Sequence, residues 1–275
     1  MKDFKENVIV ITGASSGIGK ELALQLAAQG AWLVIAARNI QKLEEVKNKC
    51  KRFGGRVLIV QTDVSEKEQC KNLIDKTIKE YGRIDTLINN AGITMWTKFE
   101  DITNIDLVEK IMRVNYLGSV YCTYYALPFL KESKGRLVGI SSLTGRTGVP
   151  TRTAYSASKH AMAGFFDSLR IELADSGVSV TMIYPGFVDT EIRGKELGAD
   201  GNKIGKNKLV NVKTMNVKTC AKIIVNAVAK RKREVVMTMK GKLGMKLKLI
   251  SPSLVDKIAQ KTIKKTIDNK NDASF

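Results

Sequence analysis

The stretch Val8-Ile9-Val10-Ile11-Thr12-Gly13-Ala14-Ser15-Ser16-Gly17-Ile18-Gly19 decides the fold of this 275-residue chain. A short apolar run ends in three glycines spaced G-x3-G-x-G, and a helical stretch follows. Glycines at a strand-to-helix junction let the backbone turn tightly and approach a pyrophosphate with no Cβ in the way. The helix N-terminus adds free N–H groups and a positive dipole end. Gly13, Ser15, Ser16, Gly17, Ile18 and Gly19 are therefore the candidate phosphate cradle. A glycine cluster elsewhere would be a plain tight turn, and its place between strand and helix is what gives it meaning.

Outward from that point, short apolar runs alternate with longer amphipathic stretches, the rhythm of βαβ units. Strands are predicted at 7–11, 32–36, 57–60, 84–88, 136–140, 178–183 and 234–237, and helices near 17–29, 39–52, 66–81, 106–130, 155–175 and 218–230. Runs such as Thr86-Leu87-Ile88 lack in/out alternation, as strands covered on both faces do. Gly30, Gly54, Gly82 and Gly177 fall just past helical stretches, where a left-handed cap belongs. The fold class is α/β, a doubly wound parallel sheet of the Rossmann type. Residues 1–238 make one catalytic domain, with a Gly-, Lys- and Asn-rich insertion at 190–216 expected to be mobile over a site, and 239–275 form an extension.

Tyr155 stands thirteen residues after Ser142, and Lys159 follows it by four. Tyr155 and Lys159, at i and i+4, share a helix face. A free phenol ionises near pH ~10, and a neighbouring ammonium should lower that value. A serine hydroxyl at the end of the fifth strand can support charge developing on a carbonyl oxygen; Ser141 and Ser142 both offer one. A YxxxK pair alone is common on surfaces, but next to a dinucleotide cradle it points to alcohol/ketone chemistry by an oxidoreductase.

His160 is the only histidine, which excludes a site needing two imidazoles and makes zinc improbable; it is read as structural. Cys50, Cys70, Cys122 and Cys220 are scattered with no CxxC, as in reduced thiols of a cytoplasmic protein. No signal peptide and no run of about 18 apolar residues is seen, so a cytoplasmic location is expected.

Several separate motifs resemble the short-chain dehydrogenase/reductase family in its single-domain branch, over residues 7 to about 190. They are TGASSGIG at 12–19, Asp63-Val64, NNAG at 89–92, Asn115 within RVNYLG, Ser142, YSASK at 155–159 and PGFVDT at 185–190, in the family's order and spacing. The resemblance implies the strand order 3-2-1-4-5-6-7 and hydride transfer between a nicotinamide and an alcohol or ketone. It selects Ser142 over Ser141 and implies a catalytic set of Asn115, Ser142, Tyr155 and Lys159. Lys159 would also hold the nicotinamide ribose, and Asn115 a water linking Lys159 to solvent. Asp63 and Val64 would bracket the adenine, Asn90 would contact the adenosine ribose, and Asn89 would tie neighbouring strands. Pro185, Gly186, Val188 and Thr190 would wall the nicotinamide side. No metal is implied.

NAD-dependent relatives carry an acid at the end of the second strand, where this chain has Ala36-Ala37-Arg38-Asn39. Arg38 can pair with a 2′-phosphate, so NADP(H) and the reductive direction are expected; otherwise Arg38 is merely the first solvated residue before the next helix. The resemblance also implies a homo-dimer or tetramer through the helices near 106–130 and 155–175. The competing class is a non-catalytic NADP(H)-binding sensor or scaffold of the same fold. Met95, Trp96, Leu143 and Phe187 fall on loops at the carboxyl ends of strands, which suits an apolar pocket and core packing equally well.

The net charge of +19 is uneven: from Lys195 onward there are 20 Lys and Arg against 6 Asp and Glu, a net of +14. Between Lys240 and Lys270 nine lysines interleave with Met239, Leu243, Leu247, Ile250, Leu254, Val255, Ile258, Ala259, Ile263 and Ile267 at spacings of three and four. This predicts one or two amphipathic helices, the second starting at Ser251-Pro252. The segment either packs on the body with a solvated lysine face or attaches to an anionic membrane surface. No nucleic-acid partner is expected, because no reader motif and little aromatic interleaving accompany the charge.

Overall fold

The computed structural model describes residues 4–205 and 214–268. Seven strands, β1 (Val8–Thr12), β2 (Trp32–Ala37), β3 (Val57–Gln61), β4 (Thr86–Asn89), β5 (Arg136–Ile140), β6 (Ser179–Tyr184) and β7 (Glu234–Val236), pair in parallel in the order β3-β2-β1-β4-β5-β6-β7. The helices are α1 (Gly17–Ala27), α2 (Ile40–Lys51), α3 (Lys67–Tyr81), α4 (Asp106–Met112), α5 (Gly118–Glu132), α6 (Thr153–Glu172), α7 (Val217–Ala229), α8 (Met239–Ile250) and α9 (Pro252–Asp268).

The unbroken apolar character of β1 follows from its place in the sheet. Ile9 and Ile11 enter a core with Leu22, Leu26, Leu43 and Ile224, while Val10 enters a second core with Leu73, Cys122, Met162 and Phe166. Successive side chains point to opposite faces of a strand, so a strand covered on both sides needs apolar residues at every position. The sheet order reverses at β1/β4, and the crevice at the carboxyl ends of these two strands is the topological switch point. Gly82 caps α3 in the left-handed region at φ 71°, and Gly30, Gly54 and Gly177 also have positive φ.

Two sequence expectations need revision. The helix read over 106–130 is α4 and α5 joined by a π-helical turn, Arg113–Leu117, which places Asn115 mid-turn. Such turns pass unseen in a hydrophobic pattern because they add one residue to the helical repeat without breaking it. The insertion at 190–216 is anchored through its first part: Leu197 N donates to Thr94 O (2.9 Å), Trp96 N to Leu197 O (2.9 Å) and Thr103 N to Ala199 O (3.1 Å). Glu191 bonds Lys195 (2.8 Å) and Lys42 of α2 (3.1 Å), and these two ammonium groups hold its pKa down to about 2. Residues 206–213 of that insertion lie outside the described residues.

The tail forms two helices, with Pro252 as the first residue of α9. Val255 and Ile263 are buried, Ile263 against Trp96, while Leu143 packs against Gly241 of α8. The extension thus covers loops at the carboxyl end of the sheet. Its outer face leaves Met239, Leu243, Leu249, Ile250, Leu254 and Ile258 exposed.

Candidate active site

The glycine turn sits at the switch point. Gly13 has φ +66°, and a Cβ built there would lie 2.7 Å from the Ala91 Cα. Thr12 Oγ1 fastens the turn from below, accepting from Asn90 N (3.0 Å) and Ala91 N (3.1 Å), while Asn90 Nδ2 donates to Thr12 O (2.9 Å) and Gly13 O (3.2 Å). The Asn90 side-chain nitrogen thus shapes the turn, at the position where the resemblance implies a ribose contact. Ser16, the N-cap of α1, has extended backbone and makes no side-chain capping bond, and the first turn carries no acid. An uncapped helix end above a turn with no room for a Cβ fits a dinucleotide pyrophosphate. Gly13→Val is expected to cost about 1–3 kcal/mol of stability and to weaken binding of the reduced nicotinamide dinucleotide at least tenfold, read by urea unfolding and by nicotinamide fluorescence.

Arg38 follows β2 with an exposed side chain, its Nη1 3.7 Å from Asp63 Oδ2. Asp63 is itself fixed by accepting from Ser65 N (3.0 Å) and Ser65 Oγ (2.8 Å). A cavity of about 410 Å³ opens here, lined by the cations Arg38, Lys110 and Arg113 and the carboxylates Asp63, Asp106 and Glu109. Val64 lies beside it but is buried, packed where a Cβ on Gly118 would collide with it, so its side chain serves the α5 contact. Asn89 reaches Thr123 of α5 (3.0 Å), tying the strand to a helix where a link between strands was expected.

On the far side of the crevice, Leu143 N donates to Pro185 O (3.0 Å), and Val188 bridges Met215 through Asp189 N to Met215 O (2.9 Å) and Met215 N to Phe187 O (2.8 Å). Gly186 faces Thr238, and Thr190 stands over Gly17. This segment closes the crevice above the cradle.

α6 brings the remaining groups together. A Cβ on Gly145 would lie 2.8 Å from the Lys159 carbonyl oxygen, so glycine lets the loop after β5 touch the helix backbone. Ser141 is used in this contact, donating to Lys159 O (3.2 Å), whereas the Ser142 hydroxyl bonds Tyr155. Asn115, fully buried, accepts from Ile93 N (2.8 Å) and donates to Ile93 O (3.0 Å) and Ser158 Oγ (2.9 Å), and Ser158 Oγ donates to Tyr155 O (2.8 Å). Its amide thus ties the π-turn to α6. Lys159 Nζ donates to Ile140 O (2.9 Å) and stands 5.9 Å from the Tyr155 ring centroid.

The expected acidification of Tyr155 by Lys159 is not what the surroundings dictate. Burial raises the phenol above its ordinary value, opposed by the charge of Arg152 and by the bond to Ser142. Burial also brings Lys159 down to about 8. Sequence reasoning missed Arg152, the N-cap residue of α6, which lies just outside the helix and so outside any helix-face pattern. It also missed Glu196, whose distance along the chain gave no signal. Of the pocket candidates, Met95 is core, packed with Leu107 and Ile111, while Trp96 and Leu143 line the seat of the C-terminal helices. His160 Nδ1 lies 2.9 Å from Ser156 O within its own helix.

A phosphate cradle at a switch point, opening onto a Ser–Tyr–Lys group, defines a Rossmann-type oxidoreductase. Residues 7–200 match the family described as short chain dehydrogenase. The chain is 37% identical over 264 residues to 11-beta-hydroxysteroid dehydrogenase 1A of Arabidopsis thaliana, covering 92% of this chain and 75% of that protein. It is 36% identical over 272 residues to dehydrogenase/reductase SDR family protein 7-like of Dictyostelium discoideum, covering 95% and 84%. An alcohol dehydrogenase structure from the archaeon Thermococcus sibiricus superposes with a TM-score of 0.72 at 24% identity, over 84% of this chain and 95% of that one, a likeness of fold. The chain belongs to the short-chain dehydrogenase/reductase family, whose members are nicotinamide-dependent oxidoreductases of CH–OH and C=O groups.

Proposed function

We propose that this protein is an NADP(H)-dependent reductase of an apolar, lipid-like ketone or aldehyde, working at a membrane surface. The observation that carries the reading is the meeting of the Ser142 and Tyr155 hydroxyls beside Lys159, at the mouth of the crevice that starts at Gly13. When bound, the dinucleotide supplies the hydride that the carbonyl carbon receives. Ser142 donates a hydrogen bond to the carbonyl oxygen and Tyr155 gives that oxygen its proton; a phenol kept neutral by burial is suited to donation. Lys159, near its own titration point at about 8, returns the proton. Asn115 keeps the π-turn and α6 in register. Residues 1–238 serve as the catalytic domain and 239–275 as an extension, whose helices α8 and α9 shield the substrate side.

Arg38 is the basis for NADP(H). Its guanidinium faces the adenine-side cavity, with Asp63 3.7 Å away as an acid it can leave for a 2′-phosphate. In an assay of NADPH and NADH oxidation over a panel of steroid and long-chain ketones, NADPH is expected to be preferred. Arg38→Asp should reduce that preference at least tenfold, since one good charge-assisted contact is worth about 1.5–3 kcal/mol. NADPH binding without turnover on any carbonyl would instead favour a sensor. The hydroxysteroid dehydrogenase relatives support the choice of panel.

The exposed apolar row on α8 and α9, led by Leu249 at 88% and Ile250 at 83%, is interleaved with lysines, which suits an acidic bilayer. Among the described residues no helix is long and apolar enough to cross a membrane. Sedimentation with acidic vesicles should retain the protein and neutral vesicles should not, with Leu249→Ser/Ile250→Ser weakening retention at least tenfold. Equal, negligible binding to both rejects the surface. Exposed Tyr124 on α5 and Ile171 on α6 support self-association through those helices, and four free, buried cysteines suit a cytoplasmic location.

A further inference from the structure

Beside Tyr155 lies a buried ion pair that no part of the reaction above uses. The side chains of Arg152 and Glu196 are 8% and 3% exposed, with Arg152 Nη2 2.9 Å from Glu196 Oε1. Arg152 Nη1 donates to Thr94 Oγ1 (2.5 Å), and its guanidinium carbon stands 4.8 Å from the Trp96 ring and 6.0 Å from the Tyr155 ring. One guanidinium thus joins the start of α6, the loop after β4 and the loop after β6, next to the proton donor. The pair is a poor device for stability alone. Burying both charges costs several kcal/mol by general estimates, and an apolar pair of similar volume commonly holds a fold as well. Moreover, Glu196 Oε2 is buried with no partner among the described residues. What apolar side chains could not provide is a fixed positive charge beside a phenol.

We infer that Arg152, locked in place by Glu196, is a positioning residue that sets the ionisation of Tyr155. The charged groups around the phenol are Lys159 from α6, Arg152 at the N-cap of that helix and Glu196 from the loop after β6, with the Ser142 hydroxyl from just after β5. The two cations lie at nearly the same distance from the ring, 6.0 and 5.9 Å, but they are not equivalent. Lys159 is committed to the Ile140 carbonyl and loses its charge above pH about 8. A guanidinium stays charged at any pH the fold survives. Arg152 is therefore the pH-independent part of the field on Tyr155, and it counteracts the rise that burial imposes.

This role of Arg152 rests on Tyr155 as the proton donor, yet its test needs no substrate. Phenolate absorbance of the full-length protein is titrated against pH, with and without NADP+, and the Tyr155→Phe counterpart of each variant is subtracted to isolate this one phenol. Removing both partners, Arg152→Met/Glu196→Gln, avoids leaving a lone buried carboxylate. It should raise the Tyr155 midpoint by about one pH unit or more, the size expected for loss of a nearby opposite charge. Arg152→Lys should bring the midpoint back toward wild type. An unchanged midpoint in the double variant overturns the inference, as does a rise that Arg152→Lys shows in full. Either result in an enzyme that still reduces ketones leaves the proposed function standing, whereas the expected shift in a protein inactive on every carbonyl would sink that function alone.

Discussion

Tyr155→Phe is expected to lower kcat/KM for NADPH-dependent carbonyl reduction by about 10²–10⁴, the usual worth of a positioned general acid. NADPH binding should stay within a factor of about two, because the cradle at Gly13 and the cavity at Arg38 lie elsewhere in the crevice. The substitution removes one oxygen from a half-buried ring that packs against Met95, Leu107 and Leu197, so the fold keeps its contacts. The loss should appear in kcat, since a proton is needed in the transition state rather than for binding. A variant retaining more than a tenth of wild-type turnover would remove Tyr155 from the chemistry and leave Ser142 as a mere capping residue for the turn after it.

Lys159→Met should abolish reduction to a similar extent, but its effect on stability runs the other way from most core substitutions. An ammonium whose pKa falls from 10.5 to about 8 on burial disfavours the folded state wherever it is charged. The unfolded chain binds more protons than the folded one between pH about 8 and 10.5, so this group makes the wild type more stable as pH rises through that window. The contribution is fully present above 10.5 and is lost as pH falls through about 8. The bond to the Ile140 carbonyl offsets part of this penalty. Urea unfolding of the cofactor-free protein at pH 7 and pH 10 should show this rise in the wild type and a flatter response in Lys159→Met. Parallel slopes would mean that Lys159 keeps an ordinary ammonium in the folded protein. Function thus retains a charge that the fold alone would discard.

The strands of the sheet and the glycine turn that ends β1 were legible in the amino-acid sequence because each depends on local chemistry at a fixed spacing, while the strand order followed from the family resemblance. A strand buried on both faces must be apolar throughout, a backbone meeting a pyrophosphate must lack a Cβ, and Tyr155 and Lys159 share a face through helical repeat alone. The tail's two helices were legible for the same reason, through its period and Pro252.

What the chain's own order could not convey is how distant segments meet. The bonds of the Asn90 side chain to Gly13 and of the Asn115 amide to Ile93 and Ser158 join segments that no local motif places together. The ionisation of Tyr155 depends on burial depth and on Arg152, held by a glutamate 44 residues away, and neither quantity is written in a local motif. Sequence determined which polar groups stand at which spacing along the chain. Only tertiary structure decided their electrostatics, because the cost of removing a charge from water is set by everything that surrounds it.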